Sequence, residues 1–196
     1  MSKKILVVKS SPNGANSHSN KLVDLLVSKF KDASVVTRDV SKGLPLVTSS
    51  MIAGFYSDPS THSDVIKNEL KFPNEIVQEL LSADVYVIGV PMYNFGIPAA
   101  LKSWIDLVVR AGVTFSFSGP GQYKGLLNGK KAHLVLATGG APIGSDYDLA
   151  SSYLKQIFGF MGVTDVTVHG VSGTNIPEVV EAATKKAVAE IEELAV

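Results

Sequence analysis

Short apolar runs rich in β-branched residues alternate along this chain with segments whose apolar positions recur every three or four residues. That alternation points to an α/β fold with a parallel sheet, because each strand must be followed by a crossover that carries the chain back across the sheet. Ile5–Val8, Val85–Val90 and Leu134–Ala137 are nearly unbroken apolar runs, as expected of strands covered by helices on both faces. Val35–Val40 is more polar, and Val163–Val171 alternates, which puts it nearer an edge. Strand order is not legible from these runs. Leu22, Leu25, Leu26 and Phe30 form one helical stripe, and Leu101, Ile105 and Val108 form another. Ile176, Val179, Val180, Ala183, Ala187, Ile191 and Leu194 form a third. Pro98 suits a helix start and Gly112 a helix end.

With 196 residues, 45% of them apolar, the chain is expected to build one domain over 1–196. Its 18 basic and 18 acidic residues cancel, which speaks against a nucleic-acid partner. Cysteine is absent, so disulfides, thiolate catalysis and iron–sulfur clusters are excluded, and any redox chemistry must come from a bound cofactor. The four histidines, His18, His62, His133 and His169, show no metal-ligand spacing, so no metal is expected. The apolar run behind Lys3 and Lys4 stops at Lys9, too short for a signal peptide, and no window approaches the roughly 20 apolar residues of a membrane span. A soluble, cytoplasmic protein is expected. Two connections, 41–83 and 111–129, exceed what a simple crossover needs and suit contact surfaces or lids.

In open parallel sheets ligands bind beyond the carboxyl ends of the strands. The first such loop carries Ser11, Ser17, His18 and Ser19 ahead of a helix, where unpaired N–H groups and hydroxyls make a seat for phosphate. Helix capping by Ser17 explains the same residues equally well. Neither a G-x-x-x-x-G-K-[ST] nor a G-x-G-x-x-G motif is present, which disfavours a triphosphatase loop and a dinucleotide fold, and no G-x-S-x-G elbow supports a serine hydrolase. After the third strand, Met92, Tyr93, Asn94 and Phe95 combine flat, polarizable and amide groups suited to a heterocycle. After the fourth, Ala137, Thr138, Gly139 and Gly140 end in paired glycines that let backbone approach a ligand, or simply make a turn.

These residues resemble those of the flavodoxin-like FMN-dependent NADH azoreductases, also described as NADH:quinone oxidoreductases. The resemblance rests on Pro91-Met92-Tyr93-Asn94-Phe95 and on Leu101-Lys102, Asp106-Leu107-Val108 and Arg110-Ala111-Gly112-Val113-Thr114-Phe115. Ser10-Ser11, Ser17-His18-Ser19-Asn20 and Gly159-Phe160-Met161-Gly162-Val163-Thr164-Asp165 fit as well. It implies a three-layer sandwich with a five-stranded parallel sheet and helices on both faces. It also implies one FMN per subunit, with its phosphate on Ser11 and Ser17-His18-Ser19, its ring on Met92 to Phe95, and the other ring edge on Ala137 to Gly140. The family often has Ser-Arg-Gly-Gly at that last position, so side-chain contacts there are in question while the glycine contacts remain.

The resemblance further implies a homodimer with flavin sites at the interface. Phe117 and Phe160 would line the substrate slot, Phe160 from the partner chain, and Trp104 and the 41–83 segment are places to look for the interface. NADH would reduce the flavin and leave before an azo compound or quinone takes its place, a ping-pong cycle without an obligatory side-chain acid, base or nucleophile. Replacing Asn94 by alanine is expected to weaken flavin binding or slow flavin reduction. The competing expectation is a flavodoxin-like electron carrier serving protein partners, against which the neutral charge counts, such carriers being acidic.

Overall fold

A computed structural model describes residues 2–195. β1 (Lys4–Lys9) leads into α1 (His18–Ser28), and β2 (Ser34–Asp39) is followed by α2 (Ser49–Phe55), α3 (Asp64–Glu69) and α4 (Lys71–Ser82). β3 (Val85–Pro91) and α5 (Ala99–Val108) precede a hairpin of β4 (Phe115–Gly119) and β5 (Gln122–Gly125). β6 (Lys131–Thr138), α6 (Leu149–Phe160), β7 (Asp165–Ser172) and α7 (Pro177–Glu192) complete the chain. The main sheet has the order β2-β1-β3-β6-β7 and all of its pairs are parallel. Each expected strand is present, with ends shifted by a few residues, and β2 and β7 are the edges.

Strand alternation divides the core. Leu6, Val8, Tyr86, Ile88, Leu134 and Leu136 face one side, where Ile76 and Leu80 of α4, Leu101 and Ile105 of α5, and Leu154 and Phe158 of α6 cover them. Ile5, Val7, Val87 and Val135 face the other, under Leu22, Val23 and Leu26 of α1 and Ala187 and Ile191 of α7. Fully burying one such side chain contributes about 1.5–3 kcal/mol, so three layers are the arrangement that leaves no face of the central strands wet. Every residue of β3, the middle strand, is buried.

Three expectations need correction. α5 stops at Val108, and Gly112 instead takes a φ of 73° in the turn before the hairpin, donating its N–H to Phe115 O at 2.7 Å. The α7 stripe is buried only at Ala187 and Ile191, because β7 is an edge strand and offers the start of the helix too little sheet to cover. Trp104 is fully buried in the core and so is no part of an exposed interface. No helix among the described residues is long and apolar enough to cross a membrane.

Candidate cofactor site

All five parallel strands point their carboxyl ends the same way, so the loops that follow them gather at one end of the sheet. In the first loop Ser10 Oγ donates to Gly89 O at 2.7 Å, which ties it to β3. Ser17 caps α1, its Oγ accepting from Asn20 N at 3.2 Å, and lies 3.1 Å from the Ser19 hydroxyl. Capping uses only a lone pair. When Ser19 donates to Ser17, the Ser17 hydrogen remains free to serve an anion, so cap and anion seat are compatible. Ser11 Oγ likewise accepts from Asn13 N, at 3.4 Å, and keeps its hydrogen. Among the described residues the N–H groups of His18 and Ser19 have no partner within the chain, as expected of a first helical turn.

After β3, Tyr93 and Gly96 exchange both backbone hydrogen bonds at 3.0 Å, closing a two-residue turn over Asn94 and Phe95. Both central residues have positive φ, 49° and 67°, the pattern of a type I′ turn. Asn tolerates that conformation; Phe rarely adopts it. The turn leaves the N–H groups of Asn94 and Phe95 unengaged among the described residues, and the Phe95 ring leans on Tyr147 with centroids 5.9 Å apart. Met92 N donates to Ala137 O at 2.9 Å, which joins this turn to the end of β6. There Thr138 is buried and its hydroxyl donates to Ala141 O at 2.5 Å, so it shapes the turn rather than facing a ligand.

A cleft of about 190 Å³ opens where these loops meet. It is lined by Ser11, Ser17 and His18 from the first loop, Met92 and Tyr93 from the second, and Ala137 and Gly139 from the third. Ser19, which is buried, and Asn94, Phe95, Thr138 and Gly140 stand outside its lining. Four further residues complete it: Asn13, Pro91, and Thr174 and Asn175 from the loop after β7. Sequence reasoning passed over that last loop, although it follows a strand and reads Gly173-Thr174-Asn175, a turn-forming run like the others. No Lys or Arg is among the lining residues.

Phe117 and Phe160 come together elsewhere. They line a larger cavity of about 820 Å³ with Tyr56, Phe115 and Tyr123, all from one chain. Phe115 and Tyr123 lie 4.6 and 5.4 Å from the Phe160 ring, centroid to centroid. The cavity sits at the far end of α6, where Leu127 N bonds Met161 O at 2.8 Å and β6 is about to begin. The cleft, by contrast, adjoins the end of β6, and an eight-residue strand spans roughly 23 Å. Within one chain the aromatic cavity therefore does not open onto the cleft.

The family model described as Flavodoxin-like fold matches residues 3–195. The chain belongs to this flavodoxin-like family. Within it, the chain is 41% identical over 189 residues to a protein of Jannaschia sp. (strain CCS1) named FMN-dependent NADH:quinone oxidoreductase 2, covering 91% of this chain and 90% of that one. A protein of Hahella chejuensis (strain KCTC 2396) named FMN-dependent NADH:quinone oxidoreductase 1 is 41% identical over 168 residues, covering 84% and 82%. Among solved flavodoxin-like structures, an azoreductase from Bacillus anthracis str. Sterne superposes with a TM-score of 0.84 at 27% identity, covering 98% of this chain and all of that one.

Proposed function

We infer that this chain is an FMN-dependent oxidoreductase that uses NADH to reduce quinones and azo compounds, and that the cleft at the carboxyl ends of the strands is its flavin site. The observation that carries the site assignment is convergence: hydroxyl, aromatic and glycine loops, far apart in sequence, line one cleft. The residues present fit the group. A phosphate needs donors, and the Ser11 and Ser17 hydroxyls with the His18 and Ser19 N–H groups offer them at the start of α1. The ring needs a flat apolar wall with donors near its polar edge. Met92 and Tyr93 offer the wall in the cleft, and the turn that follows directly, just outside the lining, carries the unengaged N–H groups of Asn94 and Phe95. Bound FMN supplies the redox chemistry, accepting hydride from NADH and passing two electrons to the acceptor.

The side chains around it bind, orient and exclude water. Backbone N–H groups at Asn94 and Phe95 are held by the closed turn, so they need no reorganisation to meet negative charge. Gly139 lines the far side of the cleft, and the donor and the acceptor take the same place on the flavin in turn. No side chain has to act as acid or base.

The unit of function in this reading is a homodimer built from single-domain chains. An aromatic cavity that cannot reach its own cleft is placed to cover the cleft of a second copy, with Phe117 and Phe160 both reaching across. Phe117, Tyr123 and Tyr56 are more than half exposed on its rim, and Leu46, Ile52 and Val65 of the 41–83 segment are also exposed, apolar surface that a partner would bury. A donor of this kind suits the cytoplasm. The deciding experiment is a steady-state assay with NADH and a neutral quinone: multiple turnovers by the protein alone support the enzyme, and turnover only with an added protein partner supports an electron carrier.

A further inference from the structure

The loop after β7 is fixed to the loop after β6 by three hydrogen bonds. Thr174 donates twice to Thr138 O, from N at 3.0 Å and from Oγ1 at 3.1 Å, and Asn175 N donates to Gly139 O at 3.1 Å. These bonds engage the backbone of Asn175 but not its side chain, which is exposed, makes no hydrogen bond among the described residues and lines the cleft. Its amide rests on Gly139: a Cβ added at position 139 would stand 2.6 Å from Asn175 Nδ2, inside any real contact. A side chain at position 139 would therefore push this exposed amide out of its present place.

The electrostatics of the cleft give that side chain a task. With no Lys or Arg in the lining, a phosphate dianion has to be held by hydroxyls and N–H groups, and each neutral donor matters more than it would beside a cation. The start of α1 lies over β3, where Asn20 and Val23 face Gly89, and Ser17 and His18 just ahead of it line the same cleft as Asn175. We propose that the Asn175 amide donates to the phosphate of the bound flavin nucleotide, and that Gly139 lacks a side chain to admit this amide. The inference rests on the reading of the cleft as the FMN site.

The test is equilibrium titration of the apoprotein with FMN and with riboflavin, which lacks the phosphate. Asn175→Ala is expected to weaken FMN about tenfold and leave riboflavin within about twofold, a difference equivalent to one hydrogen bond to a charged acceptor. Asn175→Asp keeps the shape but opposes the dianion, and should weaken FMN further with riboflavin again spared. Gly139→Ala should weaken FMN in the wild-type background and do little in the Asn175→Ala background. Equal losses for the two flavins, unchanged FMN affinity in Asn175→Asp, or a full Gly139→Ala effect in both backgrounds would overturn the assignment while leaving the flavin site intact. A wild-type protein that binds neither flavin would refute the site itself.

Discussion

Phe95 holds a φ of 67°, where a side chain with a Cβ is disfavoured by roughly 1–2 kcal/mol, and it does so on an exposed turn with no core to hide in. Strain kept at the lip of a cleft fixes two N–H groups in a set direction. Asn94→Ala is expected to be less stable than Asn94→Gly by about 1 kcal/mol, since glycine alone takes this φ without a clash; denaturant unfolding of the two variants measures it, and coincident midpoints would mean that the turn relaxes. A second residue-scale consequence concerns His133 and His169, whose ring nitrogens lie 3.0 Å apart between β6 and β7, with His133 edge-on to Phe30. Burial pushes His133 down to about 4, with His169 adding to the effect, and burial lowers His169 as well. Both are neutral in the fold and protonate once unfolded. Stability is therefore full above the ordinary imidazole value near 6.5 and declines as pH falls toward 4. His133→Phe should flatten the fall in thermal midpoint between pH 7 and 4.5; a slope equal to the wild type would assign it to carboxylates. That Ser11, Ser17, Met92 and Tyr93 lie at one end of the sheet was legible, because each sits in a loop that follows a strand of a parallel sheet. The place of Asn175 in the cleft was not, since it depends on a bond from its N–H to Gly139 O across two loops that no local pattern encodes.

At the scale of elements, α6 separates the two cavities: its start borders the loops of the cleft and its end carries Phe160. The hairpin is seated there through glycine. A Cβ on Gly125 would lie 2.1 Å from Gly162 N, so β5 can approach the end of α6 only without a side chain at that point. Gly125→Ala is expected to displace the hairpin, raise the KM for quinone at least severalfold and leave FMN affinity unchanged; unaltered kinetics would show that the hairpin plays no part in the slot. The parallel strands were readable because burial on both faces leaves an uninterrupted apolar run, a signal that survives without knowledge of neighbours. The hairpin falls in the 111–129 connection, although Phe115-Ser116-Phe117-Ser118 alternates with period two before Pro120-Gly121. Four residues of alternation are too few to outweigh the glycine around them. Pro73 within α4 misleads in the same way, since a proline in the first helical turn sacrifices no hydrogen bond.

For the whole molecule, the order β2-β1-β3-β6-β7 decides where function can be, because it brings the loops after β1, β3, β6 and β7 to one edge of the sheet. Spacing in the sequence says nothing about that order. It emerges only when the crossovers lay α1 and α7 on one face and α4, α5 and α6 on the other. The same geometry keeps the aromatic cavity away from its own cleft and makes the dimer a functional requirement in this reading. Sedimentation should find a dimer, and Phe160→Ala should slow acceptor reduction without changing FMN stoichiometry; a fully active monomer would refute the shared slot. The central claim is that the converging loops hold one flavin nucleotide, and fluorescence titration of the apoprotein with FMN tests it most directly. Saturable quenching that ends at one FMN per chain is the predicted result, and a titration without saturable quenching would contradict it.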